Sequence, residues 1–213
     1  MSTSPESPPP EQLKIFWDWF LLHRDSIASG MRSGKDSHAF AEALGSVNGR
    51  LEGIASGLSF LYGWKKATSR SEFVATANGN PSLITAVESL IAAAPDIDDW
   101  IFTAFKPGGD PTGAQLKIAD LVLTAADITF QAFALRDIGL GITLYPAGMT
   151  EEKRDLYQHA AIALMDHTIG EYDGMTLIAS LRVDPIADAV AEEPRKPLTE
   201  LSAFLHAFRA AQD

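Results

Sequence analysis

The stretch KIFWDWFLLHRDSI, Lys14 to Ile27, sets the strongest constraint on what this chain can fold into. Phe16, Trp17, Trp19 and Phe20 place four rings within five residues. At about 100° per residue, Leu13, Phe16, Trp17, Phe20 and Ile27 share one helical stripe, and Ile15, Trp19 and Leu22 fall on the other side. A helix apolar on two faces needs cover on both. The spacing therefore predicts a helix from about Glu11 to Ser29, held between a sheet and a second helix. Each ring that loses its water is worth about 1.5–3 kcal/mol, so docking of this helix is strongly driven. Trp19 and Leu22 are the residues this packing needs least, and they form the candidate interface for a second copy or another protein.

The same stretch excludes two other uses. Asp18, Arg24 and Asp25 interrupt it, and few cations flank it, so it does not read as a membrane anchor. A base-stacking platform needs a basic groove beside the rings. Here 17 Lys and Arg stand against 28 Asp and Glu, a net charge of −11, with no clustered cations. That field repels nucleic acid and anionic lipid, and it favours solubility or a basic protein partner. The N-terminal MSTSPESPPPEQ lacks the charged and apolar parts of a secretory signal, so the expected location is the cytoplasm. The chain has no cysteine, which removes disulfides, thiolate metal sites and cysteine nucleophiles. No cofactor and no metal site are expected.

Periodicity organises the rest. Residues 1–10 read as a disordered Ser/Pro-rich tail. Asp36 or Ser37 can cap a second helix carrying Phe40, Leu44, Val47 and Leu51 at helical spacing. Residues 57–64 and 71–77 then read as two strands joined by a polar turn. In NGNPSLITAVESLIAAAPD, Asn80 stands at the cap and Pro81 at the first helical position, where its missing N–H costs nothing. Leu83, Val87, Leu90 and Ile91 form the buried stripe of that helix. Strands follow at 100–107, in DITFQAFAL and in GLGITLYP. AQLKIADLVLTA, residues 114–125, is strand or helix, with its first half favouring strand. Thr150 opens a helix from Glu151 to about Ile169, and 175–183 reads as the last strand. No repeat of 20–50 residues is visible. Adjacent runs of strands predict an α+β fold, a mainly antiparallel or mixed sheet covered by helices. The expected organisation is a tail at 1–10, one domain at 11–183, a linker at 184–197 and a docking helix at 198–213.

Three places carry candidate chemistry. In TANGNP a strand meets a helix start, where Asn78 and Asn80 either bind an anion or simply form a turn and a cap. In AFKPGGDPTG, Lys106 precedes a glycine loop and Asp110, without the order of a phosphate-binding loop. Asp155, His159 and Asp166 share an arc of the helix at 151–169, with His159 and Asp155 reading as a solvated pair. Further on, His167 and Glu171 lie four apart. They are either acid–base machinery or a polar latch at the helix end, and no nucleophile stands beside them. The candidate ligand-binding set is therefore Asn78, Asn80, Lys106, His167 and Glu171.

FWDWF, FVATANGNPSLITAVESLIAAAPDIDDWIFTAFKP and ALMDHTIGEYD together resemble an uncharacterised family of small bacterial proteins, a domain of unknown function. The similarity spans most of residues 15–183 and is most specific in the AP…W…AFKP spacing and the IGEYD turn. It implies a bacterial, cytoplasmic protein, and it carries over no catalytic residue. Two functions from different classes remain in view. One is a non-catalytic binding or protein-interaction module, as a homodimer or with another protein. The other is a small-molecule enzyme, such as a hydrolase, with a cleft near Asn78, Lys106, His167 and Glu171.

Overall fold

A computed structural model describes residues 7–33, 38–135, 138–190 and 193–211. The class is α+β, as the strand and helix spacing predicts. The expectation of one domain over 11–183 is corrected, because the chain forms two compact units that divide between Lys106 and Pro107. Among the described residues every strand pairs within its own unit, and the boundary falls in the Pro/Gly-rich loop after a strand.

In the first unit, α1 (Pro10–Ser33) and α2 (His38–Ile54) form a helical pair. Strands β1 (Ser59–Lys65) and β2 (Arg70–Thr76) make an antiparallel hairpin from Ser59↔Thr76 to Lys65↔Arg70. A tight turn at Pro81–Leu83 leads into α3 (Ile84–Ala92). The chain then returns as β3 (Trp100–Ala104), parallel to β2. A parallel neighbour needs such a crossover, and α3 supplies it.

The predicted stripe of α1 is buried at Leu13, Phe16, Trp17, Phe20 and Ile27. Its rings meet Phe73, Trp100 and Phe102 of the sheet at centroid distances of 4.9–6.2 Å. The Trp17 indole N–H donates to the carbonyl of Leu90 at 2.9 Å, so its polar edge is satisfied in the core. The second apolar face is not covered as predicted: Ile15 is 55% and Leu22 83% exposed. The disordered tail is also corrected over residues 7–10. Pro8 is buried, and the Ser7 hydroxyl bonds the Ser89 hydroxyl on α3 at 2.8 Å. Residues 1–6, and the expected caps Asp36 and Ser37, lie outside the described residues.

The second unit opens with a hairpin of β4 (Gln115–Ile118) and β5 (Leu121–Thr124). The ambiguous segment is thus strand in both halves, turned by Ala119 in the left-handed region (φ +52°). β6 (Ile128–Leu135) and β7 (Gly139–Pro146) form a longer hairpin. The chain crosses over through α4 (Arg154–Ile169) and α5 (Glu171–Leu177) to β8 (Ile178–Val183), parallel to β7. The predicted last strand is shortened, since Met175–Leu177 belongs to α5. This ββαβ order repeats that of the first unit, a relation that the letters do not display.

The described part of the expected linker at 184–197, residues 184–190 and 193–197, is a strap. The buried Gln131 amide donates to the carbonyls of Val190 (2.7 Å) and Glu193 (2.6 Å) and accepts from the Val190 N–H (3.1 Å). Beyond it, β9 (Lys196–Pro197) pairs with β6, and α6 (Leu201–Ala210) docks through the fully buried Leu198, Leu201 and Leu205.

Candidate functional site

The five candidate residues divide between the units, with Asn78, Asn80 and Lys106 in the first and His167 and Glu171 in the second. Asn80 accepts from the Ser82 N–H at 3.1 Å and from the Ser82 hydroxyl at 2.8 Å, which makes it the cap of the turn before α3. Asn78 lies in the left-handed region (φ +50°), where its N–H donates to the Thr76 hydroxyl and its amide to the Gly57 carbonyl. Both asparagines are thus engaged in turn chemistry. Lys106 is half-buried and follows Phe105, whose φ of +64° bends the chain after β3.

His167 and Glu171 do not share one helix. Gly170 adopts φ 80° and ψ 163°, which only glycine tolerates, and it ends α4 before α5 begins at Glu171. His167 is exposed and Glu171 is buried. His159 also departs from expectation. Its Nδ1 lies 2.6 Å from the backbone carbonyl of Asp155, so its ring nitrogen contacts the backbone in place of the carboxylate.

The loop after Lys106 packs on the end of α4 within the second unit. The Gly109 N–H donates to the His167 carbonyl at 2.6 Å, satisfying one of the carbonyls a helix end leaves open. A Cβ on Gly109 would stand 2.5 Å from Cε1 of the imidazole, and one on Gly108 would stand 3.0 Å from the backbone at Thr168 and Ile169. Two adjacent glycines let the loop lie directly on that corner. Asp110 then accepts from the Thr112 N–H at 2.8 Å. That bond, the Thr112 hydroxyl and, last, attraction to His167 hold its carboxyl below the usual range.

Beside His167 opens a cavity of about 310 Å³, lined by Ala114, Gln115 and Leu116 around β4 and by Ala163, Leu164 and His167 of α4. The sequence singled out Asp110, the glycine loop and His167 separately. It missed Gln115 and the docking of the loop on the imidazole. The adjacent Gly108 and Gly109 were the available signal.

On the first unit, Trp19 is half-buried. The Arg50 guanidinium sits 4.5 Å over its ring, and His23 stacks on it at 4.5 Å. A second cavity of about 230 Å³ lies between α1 and α2, lined by Gln12, Ile15, Phe16, Arg50, Gly53 and Ile54.

Among the described residues no group of three or more His, Asp or Glu is placed to hold a metal ion. No helix among them is long and apolar enough to cross a membrane. Fold and site together define a two-unit α+β protein with an imidazole-rimmed cavity and an apolar helix face open to solvent. Comparison with protein-family models, with curated proteins and with solved structures gives no match.

Proposed function

We propose that this chain is a non-catalytic protein-interaction module that self-associates through the outer face of α1. The observation that carries the reading is Leu22, an aliphatic side chain 83% exposed, with Ile15 one heptad earlier on the same face at 55%. Leaving such a pair in water gives up the free energy that a contact would return.

A second copy fits this face for two reasons. Between Lys14 and Asp25 the helix carries two cations, Lys14 and Arg24, and two carboxylates, Asp18 and Asp25. This stretch is therefore charge-balanced within a chain of net charge −11, and two copies can meet here without the repulsion felt elsewhere. The face is also self-complementary. An antiparallel two-fold apposition centred between Asp18 and Trp19 sets Leu22 of each copy opposite Ile15 of the other, at the mouth of the groove between α1 and α2. Gly53, one wall of that groove, has open space where a Cβ would stand. The enzyme reading draws less support, because Asn80 caps its own turn and the Asn78 amide is taken up by the Gly57 carbonyl.

The test is sedimentation velocity of the wild type and Leu22→Glu over the micromolar range. The wild type is expected to dimerise and Leu22→Glu to be monomeric. Because Leu22 is a surface residue, the variant should keep its stability within about 0.5 kcal/mol. A monomeric wild type, or a dimer that survives Leu22→Glu, refutes the reading.

A further inference from the structure

The groove between α1 and α2 has a chemistry of its own. Gln12, Ile15 and Phe16 supply one wall, and Arg50, Gly53 and Ile54 supply the other. Each set is spaced i, i+3, i+4, so each is one face of its helix. Ile15, Phe16 and Ile54 make the lining apolar, and Gln12 and Arg50 add two polar groups to it. A mostly apolar hollow with a few placed polar groups is the usual form of a ligand site. The volume of about 230 Å³ lies below the usual range of about 300–1,000 Å³, so the occupant is small.

Arg50 sets the sign of the groove, because it is the one charged residue among the six that line it. Its guanidinium sits 4.5 Å over the Trp19 ring, and His23 stacks on the same ring at 4.5 Å. A guanidinium seated on a ring keeps N–H donors for an acceptor. The carboxylates that could neutralise it are engaged or absent. Three and four residues away on α2 stand Ser46, Val47, Gly53 and Ile54, none of them acidic. Glu52 accepts from the Ser56 hydroxyl at 2.6 Å and from the Gly57 N–H at 2.8 Å. On α1, Asp18 accepts from the Lys14 ammonium at 2.6 Å. Among the described residues Arg50 makes no ion pair.

We propose that this groove binds a small monocarboxylate with an apolar body, the carboxylate on Arg50 and the Gln12 amide and the body against Ile15, Phe16 and Ile54. The fork of a guanidinium matches the two oxygens of a carboxylate, and the Gln12 amide can donate a further bond. One cation balances one negative charge, which favours a monoanion over a phosphate monoester. The net charge of −11 opposes anions from afar, but salt screens that field beyond about 8 Å at physiological ionic strength, and within that distance Arg50 lines the groove. On the self-association reading Leu22 of the second copy lies at the mouth of the same groove, so ligand and second copy compete. The site itself is built by one copy and does not depend on that reading.

The experiment uses the full chain carrying Leu22→Ser, which leaves the mouth open whether or not the wild type self-associates. Three matched probes are titrated: hexanoate, hexanamide and hexylamine. Affinity is read from the backbone amide shifts of residues 50, 53 and 54. Hexanoate is expected to bind about tenfold more tightly than hexanamide, the gain of a charge-assisted over a neutral hydrogen bond, and hexylamine most weakly. In the same background Arg50→Met keeps an unbranched stem and should remove that advantage while leaving hexanamide unchanged. Gly53→Leu, at a position with open space for a Cβ, should fill the groove and abolish all three titrations. It also raises helix propensity, so the fold is retained. The proposal is overturned if hexanoate gives no saturable shift at these amides, or if hexanamide or hexylamine binds as tightly. It is equally overturned if Arg50→Met or Gly53→Leu leaves the hexanoate titration intact. Self-association is judged apart from this, by sedimentation of the wild type, so either reading can fail without the other.

Discussion

Gln131 offers a sharp test of the strap. Its side chain is 2% exposed and joins three segments. It donates to the carbonyls of Val190 and Glu193, accepts from the Val190 N–H, and accepts from the Tyr145 hydroxyl at 2.8 Å. Gln131→Leu keeps the approximate shape and removes all four bonds. Each is worth about 1 kcal/mol net, and a partner left dry costs more. Val190 is 48% exposed, so water can recover some of its groups. The Tyr145 hydroxyl, on a 3%-exposed residue, is harder to rehydrate. The expected loss is about 2–3 kcal/mol, which corresponds to a Tm shift on the order of 10 °C for a unit of this size. All four tryptophans, at 17, 19, 64 and 100, lie in the first unit, so their emission is the wrong probe. Amide exchange at Val190 reports the second unit directly, and far-UV circular dichroism follows the unfolding of the whole chain. Tyr145→Phe removes only one of the bonds and should cost about 1 kcal/mol, with the double variant less destabilised than the two singles combined. A Gln131→Leu loss below about 0.5 kcal/mol, the range of an ordinary surface change, with Val190 exchange unaltered would refute the strap as a structural element.

Two further outcomes follow from the glycine loop. Gly108→Ala should cost about 1–3 kcal/mol, because its Cβ meets backbone at 3.0 Å, whereas Gly109→Ala should cost less, since the His167 ring it meets can turn aside. Thermal denaturation of the pair checks the order, and an equal or reversed ranking refutes it. Asp110 has a lowered folded-state pKa, so its stabilisation is present above the ordinary carboxylate value of about 4 and is lost as pH falls through the lower folded value. The Tm advantage of wild type over Asp110→Asn should therefore hold at neutral pH and shrink toward zero in acid. An advantage that grows on acidification would contradict the assignment.

What was legible in the sequence was local. Asn80 and Pro81 mark a helix start by chemistry acting within three residues, and the stripe at Leu83, Val87 and Leu90 is buried as its period requires. The strand pattern located the β1–β2 pair with its turn, and strands β6 and β7, for the same reason. The misreadings are of two physical kinds. Some come from residues that do what their type seldom does: Ala119 turns the β4–β5 hairpin with φ +52°, a position that ordinarily selects glycine or asparagine. Others come from interactions with no local trace. The strap looks like a linker because its bonds run from backbone groups to one distant glutamine. The division at Lys106 is invisible because strand partners are chosen across tens of residues. The candidate site failed in the second way. His167 and Glu171 have helical spacing, yet Gly170 breaks the helix between them, and the group facing the imidazole is a glycine loop nearly sixty positions earlier. Side-chain lettering flags residues that can do chemistry. Whether they converge depends on backbone approach, which at Gly108 and Gly109 is written in the absence of a side chain.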